Sequence, residues 1–404
     1  MQDNKYNGTD MGFLDGLGDI DELKKKYCVD GAQDELSGSA RPDSEELRDD
    51  TVRVHGSSPR SGHTSAQEPV KRKKKKAPLG RRIRELFPEK GDKAGEVIRK
   101  IVFLVAVVTL IVSGLKLISD SLEKIEQEKI NRRLSTLVID DGTQNTDSAV
   151  WEQLRAKYPE LAGVEFPEGL NPAYALLYAQ NKDFAGYIKV PGTTIDYPVV
   201  QGEDNSHYLD YNFYGQKTIY GAIFVDYRND LKNLDRNTII YGHNVHDNRT
   251  MFTQAQKYLK LDGYKESPVI EYNTPYGNYK WKIVSVFVVN TDKQDDNDYA
   301  LRYIFNDTSD ENFVKYIDEL NKRTLYFTGT DILPTDKLLT LSTCTPEIKK
   351  NGRLVIVARM VREGESESVD VSLAKENPSI KYPQVWYDRK GIENPYINDE
   401  KWYP

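Results

Sequence analysis

The chain has 404 residues, a formal net charge of −7 at pH 7 and 38% hydrophobic residues, enough for one or two packed domains. The mildly acidic balance gives no electrostatic reason to expect a nucleic-acid partner. Its two cysteines, Cys28 and Cys344, lie on opposite sides of an apolar segment, so no disulfide is expected to staple the main domain.

Residues 1–97 are poor in aromatics and rich in Asp, Glu, Lys, Ser and Gly. Such a composition buries too little apolar area to offset the entropy of ordering, and the stretch is expected to be largely disordered, with Cys28 an incidental thiol. Ile101–Ile118 is apolar except for Thr109, Ser113, Gly114 and Lys116. As a helix it spans roughly 27 Å, about the hydrocarbon thickness of a bilayer, which predicts a transmembrane helix over 98–119. A buried core helix is the alternative. A cleavable signal peptide is disfavoured by the roughly one hundred residues ahead of it. The basic run Lys71–Lys76, with Arg81, Arg82, Arg84, Arg99 and Lys100, outweighs the positive charge downstream. The positive-inside rule therefore puts the N-terminus in the cytoplasm and the chain after about residue 120 outside. The same run is expected to attract anionic membrane lipids, a nuclear role being the alternative.

Over Ser121–Leu137, Leu122, Ile125, Ile130 and Leu134 recur at helical intervals, and a polar break follows, so 120–147 reads as a stalk or linker. Helical stretches at Val150–Tyr158 and Tyr174–Lys182 precede a change to short strands bounded by turn residues. Strands are predicted over Gly186–Val190, Asp196–Val200, Ala222–Tyr227, Thr238–Gly242, Val269–Asn273, Tyr279–Asn290, Lys337–Cys344 and Arg353–Val361. Helical insertions at Thr250–Tyr258 and Glu311–Leu320 interrupt them. The expected class is mainly β, a barrel or sandwich with attached helices.

A lone cysteine is usually a buried, inert residue. Cys344, however, closes the strand Leu338–Cys344, which places its thiol on the rim of a barrel. A thiol nucleophile needs a proton donor for its leaving group, and histidine serves that role near neutral pH. Of His207, His243 and His246, His243 closes a second strand after Gly242, which permits a sharp turn, whereas the others lie in polar loops. Arg353 opens the apolar strand that follows Cys344, from which a guanidinium can hold a carbonyl or an oxyanion; a solvated strand end is the alternative.

Tyr241-Gly242-His243-Asn244, Thr340-Leu341-Ser342-Thr343-Cys344 and Gly352-Arg353-Leu354-Val355 resemble the His, Cys and Arg motifs of the sortases. Gly186–Thr193, Ile195–Gly202, Tyr211–Gly215 and Ile223–Arg228 are similar to class B members, as is the placing of the helices. The resemblance covers roughly Ala173–Val361. It implies an eight-stranded β-barrel for 148–363, on the outer face of a Gram-positive membrane, with no cofactor and no metal. It implies a cysteine transpeptidase in which Cys344 attacks the carbonyl of a Thr in a C-terminal sorting signal, usually of NPxTx kind. His243 would protonate the leaving amine and Arg353 would hold the signal and its oxyanion. A peptidoglycan-precursor amine would resolve the thioacyl-enzyme. Asn205, Leu209 and Ser342 match positions that line the class B signal groove. Thr345 departs from members with an acidic residue after the cysteine, and Pro346 biases it towards an extended backbone.

Two alternatives remain at this level: a thiol protease using the same residues, and a non-catalytic surface protein with a structural Cys344. Asp292, Asp295, Asp296 and Asp298 lack the glycine and closing Glu of an EF-hand, so a solvated turn is expected there. The extension 364–404, with Tyr382, Trp386, Tyr387, Tyr396, Trp402 and Tyr403, is too aromatic for a free tail and is expected to pack on the barrel.

Overall fold

The computed structural model describes residues 86–139, 146–245, 250–291, 303–348 and 351–399. Cys28, the basic run Lys71–Arg84, His246, the Asp292–Asp298 cluster and Trp402–Pro404 lie outside them. The described chain divides after Asp120 into two units. The first carries the apolar part of α1 (Ala94–Ser135), most of whose side chains from Ile98 to Ile118 are exposed. By length and composition α1 can cross a membrane.

From Ser121 onward α1 is no free stalk. Its Gln127 and Leu134 are buried, and Glu123 accepts from the Thr218 hydroxyl at 2.7 Å and the Ile219 N–H at 3.2 Å. Then come α2 (Ser148–Lys157), α3 (Ala175–Gln180), β1 (Phe184–Lys189), β2 (Asp196–Val200), α4 (His207–Asp210), β3 (Ile223–Val225) and β4 (Asn237–Tyr241). A 3₁₀ helix (Thr253–Leu259), α5 (Leu261–Glu266), β5 (Val269–Asn273), β6 (Lys280–Asn290), α6 (Asp310–Arg323) and β7 (Tyr326–Phe327) follow. β8 (Leu338–Cys344), β9 (Gly352–Met360), β10 (Lys375–Glu376) and α7 (Gln384–Lys390) complete the chain. Eight strands close into a barrel in the order β1-β2-β3-β4-β8-β9-β6-β5. They are the eight read from the sequence, with ends that agree within two residues.

The barrel wall is buried on both sides, which explains why β8 and β9 are apolar runs rather than alternating ones. Leu354, Ile356 and Ala358 of β9 point into the barrel with Val286, Val288, Leu339 and Leu341. Val355 and Val357 face outward, under Phe313, Tyr316 and Leu320 of α6. Period-two alternation thus serves two cores. A bulge between Ile283 and Ser285 shifts β6 so that both Ile283 and Val286 point inward.

The described part of the extension, 364–399, packs on the barrel. Val369, Val371, Ile380, Tyr382, Val385 and Trp386 cover the inner-core cluster, and β10 pairs with β7, a two-residue ladder too short to read from sequence. An ionic cluster supports the start of the extension. Arg359 is 1% exposed and donates to both oxygens of Glu365 at 2.6 and 2.7 Å, while Lys282 reaches the same carboxylate at 2.7 Å. Arg362 pairs with Asp336 at 2.6 Å beside them. The Arg359 hydrogen bonds, and next those of Lys282, hold the Glu365 carboxyl well below the usual range. Because the folded-state value is depressed, this stabilisation is present above the ordinary glutamate pKa of about 4.3 and is lost as pH falls below it. Glu365→Gln is therefore expected to cost about 2–3 kcal/mol near neutrality. Urea denaturation of both proteins from about pH 7 to about pH 3 should show the difference shrinking on acidification; a pH-independent difference would remove the charge from the explanation.

Candidate active site

Most neighbouring strands are antiparallel, but β4 and β8 run parallel, with Tyr241 beside Ser342 and the Gly242 N–H donating to the Ser342 carbonyl at 3.3 Å. Both strands therefore end on one rim. His243 lies two residues past Tyr241 and Cys344 two residues past Ser342, and the side-chain amide of Asn244 donates to the Cys344 carbonyl at 2.9 Å, tying the two strand ends together. β9 returns antiparallel to β8, and its Arg353 pairs directly with Cys344. Three residues distant in sequence are thus brought to one rim.

The three are buried: Cys344 is 8%, His243 6% and Arg353 5% exposed. Cys344 shares an apolar cluster with Leu209, Phe224 and Tyr241. Arg353 donates to the Gly352 carbonyl at 3.0 Å. His243 Nε2 lies 2.8 Å from the Leu209 carbonyl, which can only accept, so Nε2 carries a proton and Nδ1 is the nitrogen left to gain or lose one. Gly242 is needed for a reason other than the turn expected. A Cβ there would come within 2.5 Å of Ile223 and 2.7 Å of Phe252, so the glycine lets the rim close behind His243.

The other predicted residues, Ser342, Leu209 and Asn205, are all buried. Ser342, 2% exposed, has its hydroxyl 2.9 Å from that of Tyr303, whose buried phenol is pushed up in pKa by desolvation. Leu209 meets the site through its carbonyl. Asn205 sits further off: its amide donates to Asp226 at 3.0 Å and accepts from the Tyr227 N–H at 3.1 Å. Asp226, fully buried, also holds Arg228 and the Tyr241 hydroxyl. His207 is exposed and stacked on Tyr211 at 4.6 Å. Sequence reasoning missed Tyr303 and Asp226. Asp226 lies inside the Ile223–Arg228 motif but was not singled out there, and nothing in the local pattern marks Tyr303, whose partner Ser342 is 39 residues away.

The Leu209 carbonyl is itself held by a close crossing. Gly221 has φ +57°, and a Cβ there would lie 2.5 Å from the Tyr208 oxygen and 2.6 Å from the Leu209 oxygen. Gly221→Ala is expected to cost about 1–3 kcal/mol and to push the acceptor of His243 aside. Turnover should fall about tenfold in protein that is still folded by circular dichroism; unchanged turnover would show that this hydrogen bond does not orient the ring.

The family model for the sortase domain matches residues 188–361. Sortase B of Staphylococcus aureus (strain NCTC 8325 / PS 47) is 33% identical over 263 residues, covering 65% of this chain and 96% of that protein. Sortase B of Listeria monocytogenes serovar 1/2a (strain ATCC BAA-679 / EGD-e) is 32% identical over 269 residues, covering 64% and 97%. The solved Staphylococcus aureus sortase B–substrate complex is 30% identical, covers 60% of this chain and 100% of that one, and superposes with a TM-score of 0.47. A closed eight-stranded barrel, and this identity across nearly the whole length of sortase B relatives, make the chain a member of class B of the sortase family, a sortase-type transpeptidase.

Proposed function

We propose that the chain is a membrane-anchored sortase in which Cys344 is the nucleophile, His243 the acid/base and Arg353 the electrostatic helper. The observation that carries this is the register that sets Arg353 opposite Cys344 and ends β4 and β8 on one rim, where Asn244, next to His243, donates to the Cys344 carbonyl. The Cys344 thiolate attacks the carbonyl of a Thr in a C-terminal sorting signal, forming a C–S bond and a tetrahedral oxyanion that the Arg353 fork faces. As the oxyanion collapses, the C–N bond breaks and the leaving amine takes the proton held on His243 Nδ1. An amine of a peptidoglycan precursor then attacks the thioester and returns a proton to His243. The thiolate leaves, and a new amide bond joins the protein to the cell wall.

The signal is of NPxTx type, carried by surface proteins, and the groove includes Asn205, Leu209 and Ser342; the support is the match of these positions to class B motifs. The exposed apolar stretch of α1 supports anchoring, with residues 98–119 crossing the bilayer and 1–97 in the cytoplasm. The stretch 120–147 connects to a catalytic domain at 148–363, followed by the extension 364–404.

The full chain in detergent, offered fluorogenic NPxTx and LPxTG peptides with and without an amine acceptor, tests the reaction. Amine-ligated product from NPxTx that disappears in Cys344→Ala is the expected result; product that is only hydrolysed, whatever amine is present, would favour a thiol protease. Arg353→Lys keeps a charge but loses the planar fork, and kcat should drop about 100-fold. A loss under threefold would mean that the fork is not used. Deleting 94–119 should release the protein from membranes on cell fractionation, whereas retention would refute the anchor.

A further inference from the structure

We propose that Gln256 is a positioning residue for the nucleophile, holding the Cys344–Thr345 backbone in place against His243. The inference rests on the reading of Cys344 as nucleophile. A strand end is the least constrained part of a strand, and Cys344 is the last residue of β8. Its carbonyl accepts two side-chain amides, Asn244 Nδ2 at 2.9 Å and Gln256 Nε2 at 3.0 Å. The Gln256 Oε1 in turn accepts from the Thr345 hydroxyl at 2.9 Å. The two contacts have opposite polarity, so they fix the amide in one orientation; turned over, it would set oxygen against the Cys344 carbonyl oxygen.

Gln256 stands on the 3₁₀ helix Thr253–Leu259, which is tied to the histidine side as well. The Phe252 N–H, at its start, donates to the His243 carbonyl at 2.9 Å. The Thr253 hydroxyl accepts from the Val245 N–H and donates to the Val245 carbonyl, both at 3.0 Å. The helix is anchored independently of Gln256, by buried Ala255 and Tyr258 and by the Tyr258 hydroxyl on the Ser267 carbonyl at 2.8 Å. It therefore brackets both strand ends, and Gln256 is its contact with the cysteine end. Thr345 supplies the hydroxyl that orients this amide.

The test uses the full chain in detergent, with the NPxTx peptide and an amine acceptor. Gln256→Ala should lower kcat about tenfold with KM within about twofold, because the substrate walls are untouched. Thr345→Val should lose less, and the double variant should equal Gln256→Ala, since the hydroxyl acts through the amide. Gln256→Glu accepts from Thr345 but cannot donate to the Cys344 carbonyl until protonated, so its kcat relative to wild type should rise on acidification. A purely structural role would not give that rise. Wild-type kcat in Gln256→Ala, independent additive losses, or a flat Gln256→Glu ratio would each overturn the proposal. Alkylation by iodoacetamide, read by mass spectrometry on the Cys344 peptide, should slow in Gln256→Ala, and an unaltered rate would also overturn it. Turnover surviving in Cys344→Ala would instead sink the nucleophile reading on which the inference stands.

Discussion

The parallel pairing of β4 with β8 is the constraint on which the rest depends. Parallel strands cannot be joined by a tight turn, so the chain between them must travel round the barrel. That crossover contains the 3₁₀ helix, α5, β5, β6 and α6. In return, both strands finish on the same rim, side by side. An antiparallel pairing would have put the ends of the two strands on opposite rims. β9 needs only a short connection to begin where β8 stops, and its first positions supply the guanidinium.

Burial gives this rim its chemical character. Cys344, His243 and Arg353 are each more than nine-tenths covered, so hydrogen bonds and charges there act in a medium of lower effective dielectric than water. Such a site tolerates few unsatisfied groups, and several of the polar side chains around it are paired. His243 is met by Leu209, Ser342 by Tyr303, and Asn205, Arg228 and Tyr241 by Asp226. These pairs link α4, β4, β8 and the β3–β4 connection into one wall, which keeps the rim from relaxing around the thiol.

The segment beyond the barrel extends the same principle. Residues 364–399 cover the inner-core cluster, and Arg389 donates to the Glu347 carbonyl at 3.3 Å, in the connection between β8 and β9. The family match ends at residue 361, before this covering begins. Its aromatic content follows from its role, because Tyr382 and Trp386, stacked at 4.0 Å, are half-buried against the barrel.

Local pattern was sufficient for the eight strands and the exposed apolar helix, since alternation, apolar runs and turn residues act over a few neighbouring positions. It was sufficient also for Cys344, His243 and Arg353 as candidates, because each stands at a strand end beside a distinctive motif. Leu209 was legible only as a motif match; that its carbonyl meets His243 depends on how α4 crosses Gly221. The need for Gly242 was legible but its reason was not, since the obstacle is Phe252 and Ile223 rather than the turn. The packing of the 121–135 part of α1 on the barrel, the Asp226 hub, Tyr303 on Ser342 and Gln256 on Cys344 were decided by tertiary structure alone. Apart from the Asp226–Arg228 pair, these contacts join residues 15 or more positions apart, and no periodicity within either segment encodes which distant group will complete a hydrogen bond.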